Sequence, residues 1–145
     1  MNWKAEATEK LRRYGAMRLA ILNIPDEQKR LQLDARRIRS AKMDATPVDG
    51  GNSRREEALL NNLIQRQELE NTLKQANLWL KSTDRAMSVL SPEEKQILHR
   101  LLIYPEKHAV ERLCLELGME QSSVYRKRDD ALRRFTLAYY GVDEL

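Results

Sequence analysis

Between Ser53 and Met87 the chain contains neither a glycine nor a proline. A stretch of that length with nothing to break it is expected to run as one helix, about 50 Å long at 1.5 Å per residue. The scarcity extends to the whole chain of 145 residues, which has Gly 5 and Pro 4, roughly half the usual share. So few turn residues predict long helices rather than many short strands, and an all-α fold.

Boundaries follow from the breakers and caps that do occur. Residues 3–22 carry Leu11, Tyr14, Ile21 and Leu22 at helical spacing. Pro25, with Asp26 and Glu27 after it, is expected to end that helix and start a second, running to about Lys42 with Leu31, Ala35, Ile38 and Ala41 on one face. Residues 43–53 read as a loop. Ser53 and Glu56 have the spacing of a capping box, so the long helix should start there. Leu59, Leu63, Leu73, Leu80 and Met87 mark its apolar stripe, but Arg66, Glu70, Asn77 and Asp84 interrupt the seam. An antiparallel helical bundle or hairpin is therefore favoured over a zipper, with a homodimer through the same surface left open.

Ser91-Pro92-Glu93-Glu94 is a second capping box, with proline at the first helical position. Its helix carries Ile97, Leu98, Leu101 and Leu102 and should end near Tyr104-Pro105. A short helix follows with Ala109, Val110, Leu113, Cys114 and Leu117 inward, and Gly118 stands where a left-handed cap is needed. A last helix starts near Gln121, buries Val124, Ala131, Leu132 and Phe135, and stops at Gly141. Domains are thus expected at 1–88 (an N-terminal helical region) and 89–145.

A short helix, a glycine turn and a helix with a bare polar face is the helix-turn-helix arrangement. Its second helix projects an edge narrow enough for the major groove of double-stranded DNA. On the side away from Val124 lie Ser122, Tyr125, Arg126, Asp129 and Arg133, with Gln121 at the helix entry. Arg126 suits a bidentate contact to guanine and Gln121 a contact to adenine. Lys127, Arg128 and Arg134 suit phosphates. Asp129 and Asp130 repel phosphate, so the helix should enter by its N-terminal half. Charge distribution agrees only locally. Residues 1–90 hold 17 basic and 12 acidic side chains, and residues 91–145 hold 9 and 10. A second basic patch, Arg36, Arg37, Arg39 and Lys42, reads as a solvated helix face.

Other chemistry is poorly supplied. The single Cys114 excludes an intramolecular disulfide framework and a thiolate zinc cage, and fits a reducing compartment. His99 and His108 lie nine apart with no carboxylate at ligand spacing, so no metal is expected. No catalytic triad, phosphate-binding loop or cofactor motif has support, and an enzyme is not expected. No apolar run approaches membrane-spanning length, and the first residues lack the apolar core of a signal peptide. A cytoplasmic protein without membrane contact is expected. Trp3 and Trp79 read as anchors between helices.

The run Leu117-Gly-Met-Glu-Gln-Ser-Ser-Val-Tyr-Arg-Lys-Arg-Asp-Asp-Ala-Leu-Arg-Arg-Phe135 resembles the helix-turn-helix of the promoter-binding C-terminal domain of bacterial sigma factors. Leu90 to Leu98 is similar to the opening helix of that domain. Glu120 stands at the usual serine cap and Lys127 at a usual apolar position, two departures from the pattern. With its helical N-terminal part and the Gly-Gly-x-Ser-Arg-x-Glu run at 50–56, the whole chain resembles phage-encoded late-gene activators of the ArpU and RinA type. That resemblance implies a sequence-specific transcriptional regulator, at the nucleoid of a bacterial host, whose N-terminal helices dimerise or contact RNA polymerase. A DNA-packaging recognition subunit and a polymerase-binding adaptor that does not read DNA stand as alternatives.

Overall fold

The structure, a computed structural model, describes residues 1–41 and 51–143. Among these it holds five α-helices and no strand: α1 (Trp3–Ser40), α2 (Gly51–Met87), α3 (Pro92–Leu98), α4 (Ala109–Leu117) and α5 (Gln121–Tyr140). A π-helical turn, His99–Ile103, continues α3 to its end at Tyr104. The fold is all-α, as expected. No helix among the described residues is long and apolar enough to cross a membrane.

Two expected boundaries are corrected. Pro25 does not divide the first segment; it lies inside α1. A proline forfeits one hydrogen bond and crowds the preceding turn, at a cost of about 3 kcal/mol. Burial of Ile24 and Leu31 on either side holds the helix through it. Ser53 is not a cap either, because α2 already begins at Gly51 and the serine falls within its first turn. Of the expected loop, residues 51–53 are helical, and 43–50, like Lys42, lie outside the described residues. The Ser91 box forms as expected. Its hydroxyl accepts from the Glu94 amide, and the Glu94 carboxylate accepts from the Ser91 amide, both at 3.1 Å.

Packing groups the chain otherwise than the sequence cut at residue 88. One compact unit is Met1–Arg18 with Leu78–Leu145; the other is Leu19–Asn77. In the first, the opening turns of α1 bring Ala7 and Leu11 into a cluster with Ala86, Leu90, Leu98, Leu102, Ile103, Ala131, Leu132 and Phe135. Leu11, Leu98 and Phe135 are completely buried. Aromatic rings close its edge, with Trp3 against Tyr140 at 4.8 Å and Tyr139 against Phe135 at 5.8 Å. Trp79 packs beside Tyr14 at 6.4 Å. Gly15 permits a close approach in α1, since a Cβ there would meet the Tyr104 ring at 2.8 Å. The buried hydroxyls of Thr83 and Thr136 donate to the carbonyls of Trp79 and Leu132, one helical turn back.

The second unit has a lean core: Ile24, Leu31, Ala35 and Ala76 are its buried apolar residues among those described. Buried Asn62 donates to the Leu31 carbonyl at 2.8 Å and accepts from Arg66 at 2.8 Å, so a polar hinge-pin crosses between its two helical segments. Gln28 donates to Glu70 at 2.8 Å. Leu63, expected on the inward stripe, is 42% exposed. Asn62 and the small Ala76 are the buried residues of the inward face, with Leu59 and Leu73 of the expected stripe half-buried beside them.

Two outcomes follow. Leu11→Ala should destabilise the protein by about 2–5 kcal/mol, as a core leucine does, measured by chemical denaturation; a dispensable N-terminal arm would show almost no change. Burial, reinforced by donation to Asp84, pushes the Tyr14 phenol up from 10.0 to about 12. Burial, with Tyr139 and Glu6 nearby, pushes Tyr140 up to about 12 as well. The unfolded chain therefore ionises first, so stability present below about pH 10 should be lost as pH rises toward about 12. Tyr14→Phe should flatten that decline.

Candidate nucleic-acid interface

Three fully buried side chains, Ile97 from α3, Leu113 from α4 and Val124 from α5, hold the last three helices together. Val110, Cys114, Leu117 and Met119 pack around them. Cys114 is thus part of this small core, as its place on the apolar side of α4 predicts. Gly118 ends α4 at φ 64°, and its amide and that of Met119 both bond to the Cys114 carbonyl. The left-handed glycine is what reverses the chain between the helices. Glu120 then takes the cap position of α5 in extended conformation without a side-chain capping bond. Its carbonyl alone accepts, from the amides of Ser123 and Val124 at 3.0 and 3.1 Å. The first amides of a helix have no acceptor within it, so the start of α5 presents N–H groups and the positive end of the helix dipole.

Of the eight side chains singled out from the sequence, four are exposed with no ion pair among the described residues, three pair with carboxylates of other segments and Arg128 pairs with its neighbour Asp129. Gln121, Ser122, Tyr125 and Arg126 are exposed along the N-terminal half of α5. Arg126 makes no ion pair among the described residues. Arg128 lies over the Tyr125 ring, 5.1 Å from its centre, and bonds to Asp129 at 3.2 Å. Its shielded Nε has no hydrogen-bond partner among the described residues. The stack stiffens two long side chains next to Arg126.

Lys127, Arg133 and Arg134 are committed to carboxylates. Lys127 pairs with Glu93 at 2.8 Å, which accounts for a lysine where the sigma pattern has an apolar residue: it reaches back to the first turn of α3. Arg134 pairs with Glu94 at 2.6 Å and donates to the Val89 carbonyl at 3.2 Å. Glu94 is buried, and its Oε1 thereby serves both the α3 cap and α5, accepting from the Ser91 amide and from Arg134. Arg133 makes two bonds to Asp143, at 2.6 and 3.1 Å, after Gly141 turns the chain back at φ 72°. That pairing holds the Asp143 carboxyl below its usual range and raises the Arg133 guanidinium. These residues line an open cleft of about 580 Å³ between α3 and α5, in which acids and bases offset each other.

Sequence reasoning missed Glu93, Glu94 and Asp143 as partners of the α5 cations. Glu94 was legible as a cap residue, but its second role depends on a contact forty residues away. Arg100 was missed too. Nearly buried near the start of α3's extension, it bonds to Glu116 of α4 and pairs with Glu106 at 3.0 Å, bracing the helix-turn-helix from behind. His99 packs on Tyr104 at 5.1 Å, and His108 lies 3.0 Å from Glu111. No group of three or more His, Cys, Asp or Glu comes together at metal-binding range among the described residues.

Residues 37–136 match the model of the family described as Protein of unknown function (DUF1492). The chain belongs to that family. The DUF1492 span takes in α2, α3, α4 and α5 as far as Thr136, and so includes every side chain on the exposed edge of α5. It leaves out the first turns of α1, which supply Leu11 to the core. Neither the curated proteins nor the solved structures contain a match to the chain.

The turn itself can be tested. A Cβ at Gly118 would touch nothing within 4 Å, so the penalty of Gly118→Ala is one of backbone conformation alone. It should cost about 1–2 kcal/mol in chemical denaturation. A neutral result would mean that the turn relaxes to another conformation.

Proposed function

We propose that this protein is a sequence-specific reader of double-stranded DNA and regulates transcription, as a late-gene activator of a phage or prophage. The observation that carries the reading is the division of labour on α5. Lys127, Arg128, Arg133 and Arg134 are held by carboxylates, while Gln121, Ser122, Tyr125 and Arg126 stand exposed beside the amide-rich start of a helix that a glycine turn sets on its own small core. Arg126 offers guanine a two-pronged donor and Gln121 offers adenine a donor and an acceptor. The resemblance to the sigma promoter-binding domain supports the same docking. In this reading Arg128 and Lys127 flank the groove and contact phosphate, Lys127 exchanging Glu93 for a phosphate oxygen. The N-terminal helices supply a contact to a second copy or to RNA polymerase.

The protein should be incubated with random duplex DNA at physiological salt and the retained fraction sequenced. An enriched motif is expected. Arg126→Ala should remove about 1–3 kcal/mol of discrimination at one base pair, whereas Lys127→Ala should weaken all sequences and reduce the salt slope by about one. Retention without enrichment would replace this reading with a polymerase adaptor whose helix-turn-helix is scaffold. A ring-sized native mass with sequence preference would replace it with a packaging recognition subunit.

A further inference from the structure

The second compact unit distributes its apolar residues the wrong way round for an isolated helical hairpin. Among its described residues two of the four buried apolar ones are alanines, yet Leu60 is 55% exposed, Leu63 42% and Ile64 43%. These three lie within one turn and a half of α2 and form one patch, at i, i+3 and i+4. They also belong to a longer outward seam. Glu57, Leu60, Ile64, Gln67, Asn71 and Lys74 follow one another at steps of three and four residues, and all six are exposed. This seam lies across α2 from buried Asn62 and Ala76; Leu63 and Gln67 edge the groove toward Gln28 and Gln32 of α1, while exposed Leu60 and Ile64 have no role in the core among the described residues of the unit.

Its ends carry opposite charge. Glu57 opens the seam and Lys74 closes it, and among the described residues neither is in an ion pair. We infer that this seam is a self-association surface on which α2 of a second copy lies antiparallel. In that register Glu57 of each copy faces Lys74 of the other. The two Ile64 side chains fall on either side of the two-fold axis, and Leu60 and Leu63 lie just outside them beneath the amides of Asn71 and Gln67 of the second copy. The contact runs about 27 Å along each helix. A parallel pairing sets Glu57 on Glu57 and Lys74 on Lys74, so the charge pattern selects against it. The inference is independent of DNA reading, because association is measured without DNA.

Sedimentation equilibrium of the full chain, across a concentration series to about 100 µM, tests it. The expected result is a dimer. Ile64→Asp should raise its Kd by about tenfold or more. Glu57→Lys and Lys74→Glu should each raise it by about two- to fivefold, and the Glu57→Lys/Lys74→Glu double variant should restore it, a rescue that only the antiparallel register provides. Circular dichroism of each variant should match the parent, since every altered residue is exposed. A monomeric parent overturns the inference. So does a dimer indifferent to Ile64→Asp but broken by Leu22→Asp, which would place the contact on α1, or a double variant no better than the singles.

Discussion

The helix-turn-helix of this protein rests on burial of Leu11 beside Leu98 and Phe135. α4 and α5 share only a small core of Ile97, Leu113 and Val124, and three side chains do not fix the position of a twenty-residue helix. The larger cluster does so by trapping the C-terminal half of α5 against α3, the end of α2 and the first turns of α1. Side chains of that size contribute about 1.5–3 kcal/mol each on burial, far more than any exposed ion pair of α5. The exposed edge of α5 is therefore positioned by apolar contacts made at its other end.

Electrostatics then sorts the cations of that helix. Five basic residues lie within nine positions of sequence, from Arg126 to Arg134. Helical geometry points some of them at α3 and the C-terminal residues, where Glu93, Glu94 and Asp143 neutralise them. With Arg128 paired to Asp129, Arg126 is the one of the five without an ion pair among the described residues, and it lies toward the start of α5. The same end carries the unpaired amides and lacks a capping side chain, so several modest contributions share one direction.

Much of this was legible locally. The Ser91 box, the Gly118 turn and the Gly141 stop are short-range signals with a direct backbone cause, and each appears where the residues predict it. What was not legible depends on partners distant in sequence. Pro25 reads as a break until Ile24 and Leu31 are seen to be buried on both sides of it. The inward face of α2 is only partly legible, because Asn62, Ala76 and Thr83 fill it beside half-buried Leu59, Leu73, Leu80 and Met87, while Leu63 of the expected stripe faces out. Of the α5 side chains, spacing put Ser122, Tyr125, Arg126, Asp129 and Arg133 away from the core, and all but half-buried Arg133 are exposed; it had no means of assigning Lys127, Arg133 and Arg134 to carboxylates ten to forty residues away.

The pairing of Trp3 with Tyr140 and of Leu11 with Phe135 also sets a schedule. A ribosome adds roughly 5–20 residues per second. Leu11 emerges long before its partner exists, and more than a hundred residues must follow before Phe135 is made. Through that interval the first turns of α1 carry an apolar face with nothing to cover it, and α3 and α4 wait without their third wall. The compact unit that bears α5 closes only when the last helix leaves the exit tunnel. Its assembly thus waits on synthesis of α5, and a chain lacking that helix leaves Leu11 and Leu98 without the apolar wall that Leu132 and Phe135 supply.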